Sequence, residues 1–214
     1  MLMLDKQFFL DSLRDMAQLA EEQRNHWTKL DSEIGDGDHG INLSIGFRAV
    51  TKQLDALDIE STDIAGLYKK VGMTLLSKVG GASGPLYGSF FMKAGTNIAG
   101  LHEINFRQFC EMIQEGVDAI VFRGKAQIGD KTMLDAFLPG LEVLFQSDLE
   151  NEPVAAFEAF VARMKQGSDE TIPLICKKGR AMRLGERAIG HRDPGSESAW
   201  MFMNVYLEQL KKRF

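Results

Sequence analysis

Apolar residues recur at the spacing of an α-helix along most of this chain. In residues 6–30, for example, Phe9, Leu13, Met16 and Ala20 fall on one face. The alternation of apolar and polar residues that marks a strand is nearly absent. The pattern therefore predicts an all-α fold of about nine helical segments. They cover residues 6–30, 41–57, 62–80, 86–99, 109–120, 132–146, 153–164, 168–182 and 196–210, with Thr62 and Ser196 as N-caps.

Length and composition predict a single domain over residues 1–214. A chain of 214 residues buries roughly 70% of the surface that it exposes when unfolded, which is enough for one core. The formal charge of −5, with no basic face to offset it, argues against binding to nucleic acid or an anionic membrane. No apolar run is long enough for a membrane span or a signal peptide. Cys110 and Cys176 lack metal-ligand spacing and suit a reducing compartment, so we expect a cytoplasmic protein.

Residues 31–42 combine three aspartates with three glycines between two predicted helices. Glycine lets the backbone turn tightly, so the carboxylates of Asp31, Asp36 and Asp38 can converge on one point. A solvated acidic turn is one interpretation, and a bound hard cation is the other. An EF-hand calcium loop is excluded, because position 12 counted from Asp36 is Phe47 and not glutamate. The motif therefore favours magnesium, which binds a few carboxylates and shares them with substrate phosphates.

Two further loops have glycines next to polar residues. The run Gly80-Gly81-Ala82-Ser83-Gly84 leads into a helix, where backbone N–H groups can bind phosphate, although a tight turn alone would also use glycines. Residues 124–132 resemble a P-loop, but Asp130 is inserted before the lysine and no strand precedes the loop. We reject the P-loop interpretation, while main-chain contact with a nucleotide stays open.

The remaining polar residues do not supply a protein nucleophile. His39 and His191 could be phosphohistidines, but a histidine beside three carboxylates is more often an orienting hydrogen-bond donor or a ring that stacks on a base. One or two of Arg180, Arg183, Arg187 and Arg192 could bind phosphate. No Ser-His-Asp order, Cys-His pair or zinc spacing is present. We therefore expect no catalytic side chain in the strict sense, and phosphoryl transfer by positioning and electrostatics needs none.

Taken together, these motifs resemble the nucleotide-binding L domain of dihydroxyacetone kinases over essentially the whole chain. Five blocks carry the resemblance in order: Asp31 with Ile34-Gly35-Asp36-Gly37-Asp38-His39-Gly40-Ile41-Asn42; Gly72-Met73-Thr74-Leu75-Leu76; Gly80-Gly81-Ala82-Ser83-Gly84-Pro85-Leu86; Arg123-Gly124-Lys125-Ala126 with Gly129-Asp130-Lys131-Thr132-Met133; and Gly185-Glu186-Arg187 with Gly190-His191 and Asp193-Pro194-Gly195.

The resemblance implies a fold and a set of site residues. The fold would be a closed barrel of about eight antiparallel helices, with tightly bound ADP or ATP and two Mg²⁺ ions in the loops at one end. Asp31, Asp36 and Asp38 would be the metal ligands. The nucleotide would contact His39, Gly40, Ile41, Asn42, Ala82, Ser83, Gly124, Met133, Arg180, Asp193, Pro194 and Gly195.

The resemblance also implies a function. In the free-standing form of the family, bound ADP is phosphorylated in place by a protein of the phosphotransferase system. The γ-phosphoryl group then passes to dihydroxyacetone on a separate substrate-binding subunit. We expect this form, because the chain carries no substrate domain. Two alternatives stay open: a kinase domain that exchanges ATP and serves another acceptor, and a regulatory module that senses nucleotide.

Overall fold

The protein is mostly helical, as the apolar pattern predicts. The computed structural model describes residues 2–214, except for the side chain of Arg180. Over this part of the chain the α-helices are α1 Lys6–Glu22, α2 Arg24–Ile34, α3 His39–Asp55, α4 Ile64–Lys78, α5 Ser83–Ala94, α6 Phe106–Gly124, α7 Leu134–Gln146, α8 Pro153–Glu170 and α9 Pro194–Arg213. Short 3₁₀ segments cover Thr96–Ile98 and Arg180–Ala188.

A small sheet corrects the strictly all-α prediction. Strands β1 Met3–Asp5 and β2 Glu103–Asn105 pair antiparallel, with Leu4 opposite Ile104. Each strand has only three residues, so neither is long enough to produce a visible alternation in the sequence. The pairing places the start of α1 beside His102, whose carbonyl accepts the Lys6 N–H at 2.9 Å, and the start of α6 beside Leu2, whose carbonyl accepts the Phe106 N–H at 3.0 Å.

Two predicted helices differ from the observed ones. The predicted helix 6–30 is broken into α1 and α2 at Gln23, whose φ of −89° and ψ of 0° depart from helical values. The predicted helix 168–182 does not form. Instead, α8 continues to Glu170, and Pro173, which lacks an N–H group, follows in an irregular segment. The helical spacing of apolar residues continues through Gln23 and through the predicted helix 168–182, so the sequence pattern cannot reveal either difference.

Two helix starts are capped by different residues from those predicted. The carboxylate of Asp63, and not Thr62, accepts the Gly66 N–H at 2.6 Å at the start of α4. At the start of α9 the Asp193 carboxylate accepts the Ser196 N–H at 2.6 Å, and Pro194 takes the first helical position. Aspartate is as good a cap as serine or threonine, so propensity alone does not decide between neighbours.

The helices pack around one hydrophobic core that extends from Leu4 to Leu210. From α3 to α9 each helix contacts the next one along the chain, and α1 contacts both α3 and α9. The centre of the core is aromatic: the rings of Phe8, Phe109 and Tyr206 lie within 6.0 Å of one another, centroid to centroid. Among the helices described, none is both long enough and apolar enough to span a bilayer.

Candidate nucleotide and metal site

The three aspartates of the 31–42 motif converge at the junction between α2 and α3. One carboxylate oxygen from each of Asp31, Asp36 and Asp38 lies within 4.8 Å of the others. Asp31 also organises the junction, because its Oδ2 accepts the backbone N–H groups of Asp38 (2.8 Å) and His39 (3.1 Å). A side chain at Gly35 would obstruct this arrangement, since its Cβ would lie 2.1 Å from Asp31 Oδ1.

The glycine turn between α4 and α5 faces the aspartates. Gly81 has a φ of +64°, a conformation that suits glycine, and an added Cβ there would lie 3.7 Å from Asp38 Oδ1. The turn continues through Ala82 into Ser83, the first residue of α5. Backbone N–H groups at a helix start attract anions, so a phosphate between this turn and the aspartates would meet both N–H donors and any cation held there.

His39 is held in a chain of buried hydroxyl groups. Its Nδ1 is 2.9 Å from Ser83 Oγ, and its Nε2 is 2.9 Å from Ser198 Oγ. Ser198 Oγ in turn is 2.7 Å from the Tyr87 hydroxyl. Burial lowers the pKa of His39 to about 4, although the negative charge of the nearby Asp31 carboxylate acts in the opposite direction and raises it. Both ring nitrogens therefore orient hydroxyl groups of the site, which favours the orienting role over a phosphohistidine.

These loops line one cavity of about 490 Å³. Eleven of the fifteen predicted site residues line it: Asp31, Asp36, Asp38, His39, Ala82, Ser83, Gly124, Met133, Asp193, Pro194 and Gly195. They come from the α2–α3, α4–α5 and α6–α7 junctions and from the start of α9, so alternate helix junctions meet around this cavity.

Three predicted residues, Gly40, Ile41 and Asn42, are not among those that line the cavity. Gly40 lies against α2, where an added Cβ would be 2.0 Å from the Arg24 carbonyl oxygen. Asn42 lies beside Gly80, whose added Cβ would be 3.0 Å from Asn42 Oδ1, so it supports the glycine turn. The predicted contact of Arg180 with phosphate concerns a side chain outside the described part of the structure.

An apolar wall of the cavity was not predicted as part of the site. It consists of Leu86 from α5, Ile120 from α6, Ala126 from the following loop and Leu134 from α7. A flat apolar surface of this kind suits the base of a nucleotide. In the sequence, the helical members belong to the same apolar stripes as the core, so no signal separates them from core residues.

The 124–132 loop has a structural role in this site and is not a P-loop. A helix, α6, precedes it, and a P-loop requires a strand there. The Asp135 carboxylate accepts the N–H groups of Gly129 (2.5 Å) and Thr132 (2.7 Å), while Asp130 Oδ2 accepts the Gln127 N–H at 3.0 Å. The inserted Asp130 therefore stabilises the turn of its own loop through this hydrogen bond.

Near the start of α9, Asp193 has a shifted pKa, whereas the basic residues around it form ion pairs or are exposed. Burial raises the pKa of Asp193 to about 7, although the hydrogen bond from the Ser196 N–H group acts in the opposite direction.

Arg192 forms ion pairs with Asp169 and with Glu197, the latter at 2.5 Å, so it stabilises the start of α9 and is not aimed at the cavity. Arg183 and Arg187 are exposed. His191 Nδ1 is 3.0 Å from Glu33 Oε2.

Comparison with known proteins identifies the family. The family model described as the DAK2 domain matches residues 33–208. The chain belongs to the DAK2 domain family. This DAK2 domain is 63% identical over 211 residues, 99% of this chain and 98% of the relative, to the PEP-dependent dihydroxyacetone kinase 2, ADP-binding subunit DhaL, of Listeria innocua. The corresponding ADP-binding subunit of Escherichia coli is 43% identical over 184 residues, covering 86% of this chain and 87% of the relative.

Solved structures agree with the family assignment. The DAK2 domain resembles the dihydroxyacetone kinase of C. freundii, in its native form, with a TM-score of 0.71 and 26% identity over 92% of this chain and 33% of that one. The same kinase in complex with AMP-PNP and Mg²⁺ matches with a TM-score of 0.69 at the same identity and coverage. The DAK2 domain thus spans about one third of that kinase.

Proposed function

We propose that this chain is the ADP-binding, phosphoryl-transferring subunit of a dihydroxyacetone kinase. Its bound ADP is phosphorylated in place by a phosphotransferase-system protein, and the γ-phosphoryl group passes to dihydroxyacetone on a separate subunit. The observation that carries this proposal is the convergence of three carboxylates with the glycine turn on one cavity of nucleotide size. The relatives named as ADP-binding subunits of dihydroxyacetone kinase support it.

The residues at the α2–α3 junction fit magnesium. Three carboxylate oxygens within 4.8 Å of one another offer the hard oxygen donors that Mg²⁺ binds, and without a cation they would repel one another. Asp31, Asp36 and Asp38 would therefore hold the two Mg²⁺ ions. When bound, Mg²⁺ neutralises charge on a phosphoryl group during transfer.

The chain's own residues would bind and orient the nucleotide. N–H groups of the Ala82–Ser83 turn would bind phosphate oxygens at the start of α5, with the Ser83 hydroxyl oriented by His39. The base would lie on the apolar side, near Met133 and Gly124. The other residues assigned to nucleotide binding are Gly40, Ile41, Asn42, Arg180, Asp193, Pro194 and Gly195. No side chain is assigned as a nucleophile, since the nucleotide itself carries the phosphoryl group.

The packing order supports the closed barrel and the single domain. Contacts run α1, α3, α4, α5, α6, α7, α8, α9 and back to α1, which is a ring of eight helices, and α2 packs against α3 and α9. One hydrophobic cluster fills the interior from Leu4 to Leu210. We infer a closed eight-helix barrel over residues 1–214 with the nucleotide at one end.

The surface near the cavity supports docking of protein partners. Phe122 is 85% exposed, Ile128 59% and Met182 57%, and all three lie within two residues of residues that line the cavity. Exposed large apolar side chains next to a site are typical of interaction surfaces. The partners would be the dihydroxyacetone-binding subunit and the phosphotransferase-system donor. A cytoplasmic location stays a prediction, and both cysteines are unpaired, which suits it.

A second candidate is a kinase domain that exchanges ATP with solvent and serves another acceptor. It is favoured by the similarity to the complete C. freundii kinase with AMP-PNP and Mg²⁺, and to the L-erythrulose 1-kinase of Mycolicibacterium smegmatis, 32% identical over 94% of this chain and 35% of that protein. A purely regulatory module is disfavoured, because all three aspartates are present and converge.

Mass spectrometry of nucleotide released from freshly purified protein tests the proposal. We expect ADP before, and ATP after, incubation with phosphoenolpyruvate and the phosphotransferase-system proteins. Rapid exchange of the bound nucleotide with isotopically labelled ATP would instead support the second candidate. Protein that neither contains nor binds adenine nucleotide would overturn both.

A further inference from the structure

The ammonium group of Lys131 is enclosed by backbone carbonyl oxygens. The side chain, in the loop between α6 and α7, is only 2% exposed. Its Nζ donates to the carbonyls of His191 (2.6 Å), Ala188 (2.7 Å) and Leu174 (3.1 Å), and Ile172 O lies at 3.4 Å. An ammonium has three N–H donors, which match the three shortest contacts.

All four carbonyls belong to one irregular segment, residues 172–191, which connects α8 to α9. This segment forms part of the cavity wall through Lys178, Gly179 and Ala181. Two residues beyond its end, Asp193 also lines the cavity. A single side chain therefore fixes both ends of the segment that covers one side of the proposed nucleotide site.

Other interactions hold the 172–191 segment weakly. Its buried apolar contacts form a small cluster of Cys176 and Ala188 with Ile34, and His191 Nδ1 lies 3.0 Å from Glu33 Oε2 in a partly exposed pair. One backbone hydrogen bond joins it to the α6–α7 loop, from the Lys177 N–H to the Asp130 carbonyl at 3.1 Å. Segments with few buried apolar contacts open at low free energy, so the charged hydrogen bonds of one lysine carry much of the closure.

The backbone of Lys131 indicates that the side chain is retained at some cost. Its φ is +62°, in the left-handed region that disfavours residues with a Cβ. Burial also lowers the pKa of the Lys131 ammonium, although the nearby Cys176 and Asp193 raise it. Lys125, in the same loop, has a φ of +48° but is exposed, so backbone strain alone does not distinguish the two lysines.

We propose that Lys131 is a positioning residue that sets how long the nucleotide stays bound, by fastening the 172–191 segment over the cavity. This inference rests on the proposed function. Lys131 also lines the cavity, but its three N–H donors are directed to carbonyl oxygens of the segment, so in this scheme it acts through the segment and not on phosphate. Loss of its ammonium would leave the cavity formed but open on one side.

The test compares Lys131→Met with Lys125→Met, which makes the same chemical change at an exposed lysine with similar backbone conformation. Each protein is freed of nucleotide with EDTA and loaded with N-methylanthraniloyl-ADP and MgCl₂. Release is then followed during a chase with unlabelled ADP. In parallel, tryptic cleavage is mapped at the exposed Lys177, Lys178 and Arg183, without nucleotide.

We expect Lys131→Met to release the labelled ADP at least about tenfold faster than the wild type, with faster cleavage of the 172–191 segment, since charged hydrogen bonds are lost. Lys125→Met should behave like the wild type in both assays. Circular dichroism at 222 nm establishes that the variants are folded. If Lys131→Met does not fold, Lys131→Arg, which keeps the charge but not the tetrahedral donors, should show the same changes at smaller size.

Folded Lys131 variants with wild-type release and cleavage would overturn the inference. Failure of the proposed function gives a different result, because the wild type itself would then not bind the labelled ADP. The tryptic arm needs no nucleotide and still measures whether Lys131 fastens the segment.

Discussion

At the scale of single residues, the site depends on three carboxylates that repel one another unless a cation lies between them. Asp31 has two tasks, because one of its oxygens accepts backbone N–H groups while the carboxylate also belongs to the acidic cluster. Asp38, also a member of this cluster, faces the glycine turn at Gly81. The two residues therefore differ in what a substitution would disturb: Asp31 would affect the shape of the loop, and Asp38 mainly its charge.

Asp38→Asn is the sharper test of the metal assignment, since it keeps the size of the side chain. We expect Mg²⁺-dependent retention of labelled ADP to fall by at least about 100-fold, because a cation ligand is lost. The helical signal at 222 nm should be unchanged. Asp118→Asn, at an exposed aspartate on α6, provides the control. Full retention by Asp38→Asn would contradict the assignment.

At the scale of elements, helix starts and helix–helix contacts keep the junction loops in place. The Asp63 carboxylate caps α4 and also accepts a hydrogen bond from the Gly100 N–H group. This bond links the start of α4 to the loop between the Thr96–Ile98 segment and β2. Inside the core, the hydroxyls of Tyr68 on α4 and Tyr206 on α9 lie 2.5 Å apart. Both pairs join parts of the chain that are distant in sequence, so each stabilises the arrangement of helices around the core.

Asp63→Ala should lower the free energy of unfolding by about 1 kcal/mol, the usual cost of a lost N-cap. Burial raises the pKa of the Asp63 carboxyl, but hydrogen bonds from the N–H groups of Gly100 and Gly66 lower it, and the pKa lies below its ordinary value of 3.8. The carboxylate therefore stabilises the fold above pH 3.8, and this contribution disappears as the pH falls through the folded-state pKa. Urea unfolding of the wild type and variant at pH 7 and at acidic pH measures both effects. A difference that persists undiminished in acid would contradict the capping role.

Tyr206→Phe should destabilise the protein by about 1–3 kcal/mol, because it leaves the buried Tyr68 hydroxyl without its partner. The double variant Tyr68→Phe/Tyr206→Phe should cost less than the sum of the two single changes, since no unpaired hydroxyl remains. Chemical unfolding of all four proteins gives the coupling free energy. Strictly additive losses would mean that the two hydroxyls do not interact.

At the scale of the whole molecule, ligand binding and stability are linked, because the cavity is formed by loops that are far apart in sequence. The α2–α3, α4–α5 and α6–α7 junctions and the start of α9 all contribute to it. None of these loops can form the site alone. A nucleotide that contacts all of them should therefore stabilise the complete fold.

With Mg²⁺ and ADP at 100 times the dissociation constant, the gain in stability is about 2.7 kcal/mol, which corresponds to roughly 5–10 °C in melting temperature for a chain of this size. Differential scanning fluorimetry of protein freed of nucleotide measures it. ADP with EDTA should give a much smaller shift, because the phosphates would then face uncompensated carboxylates. An equal shift in EDTA would mean that metal does not take part in binding.

The sequence by itself determined the helical character, the acidic motif and the glycine turn, because each depends on residues close together in the chain. Helical periodicity is local, and so are tight turns that need glycine. These two motifs contribute six of the eleven predicted residues that line the cavity, and the other five follow only from the family resemblance.

Only the tertiary structure decided which apolar residues at the edge of the core also form the wall of the cavity, and where the helices break. Leu86 and Ile120 have the same helical spacing as other core residues, and nothing local distinguishes them. The role of Lys131 depends on carbonyl oxygens at least 41 residues away, so no local pattern in the sequence could indicate it. Contacts between distant residues arise from packing, and packing is not encoded in any short stretch of the chain.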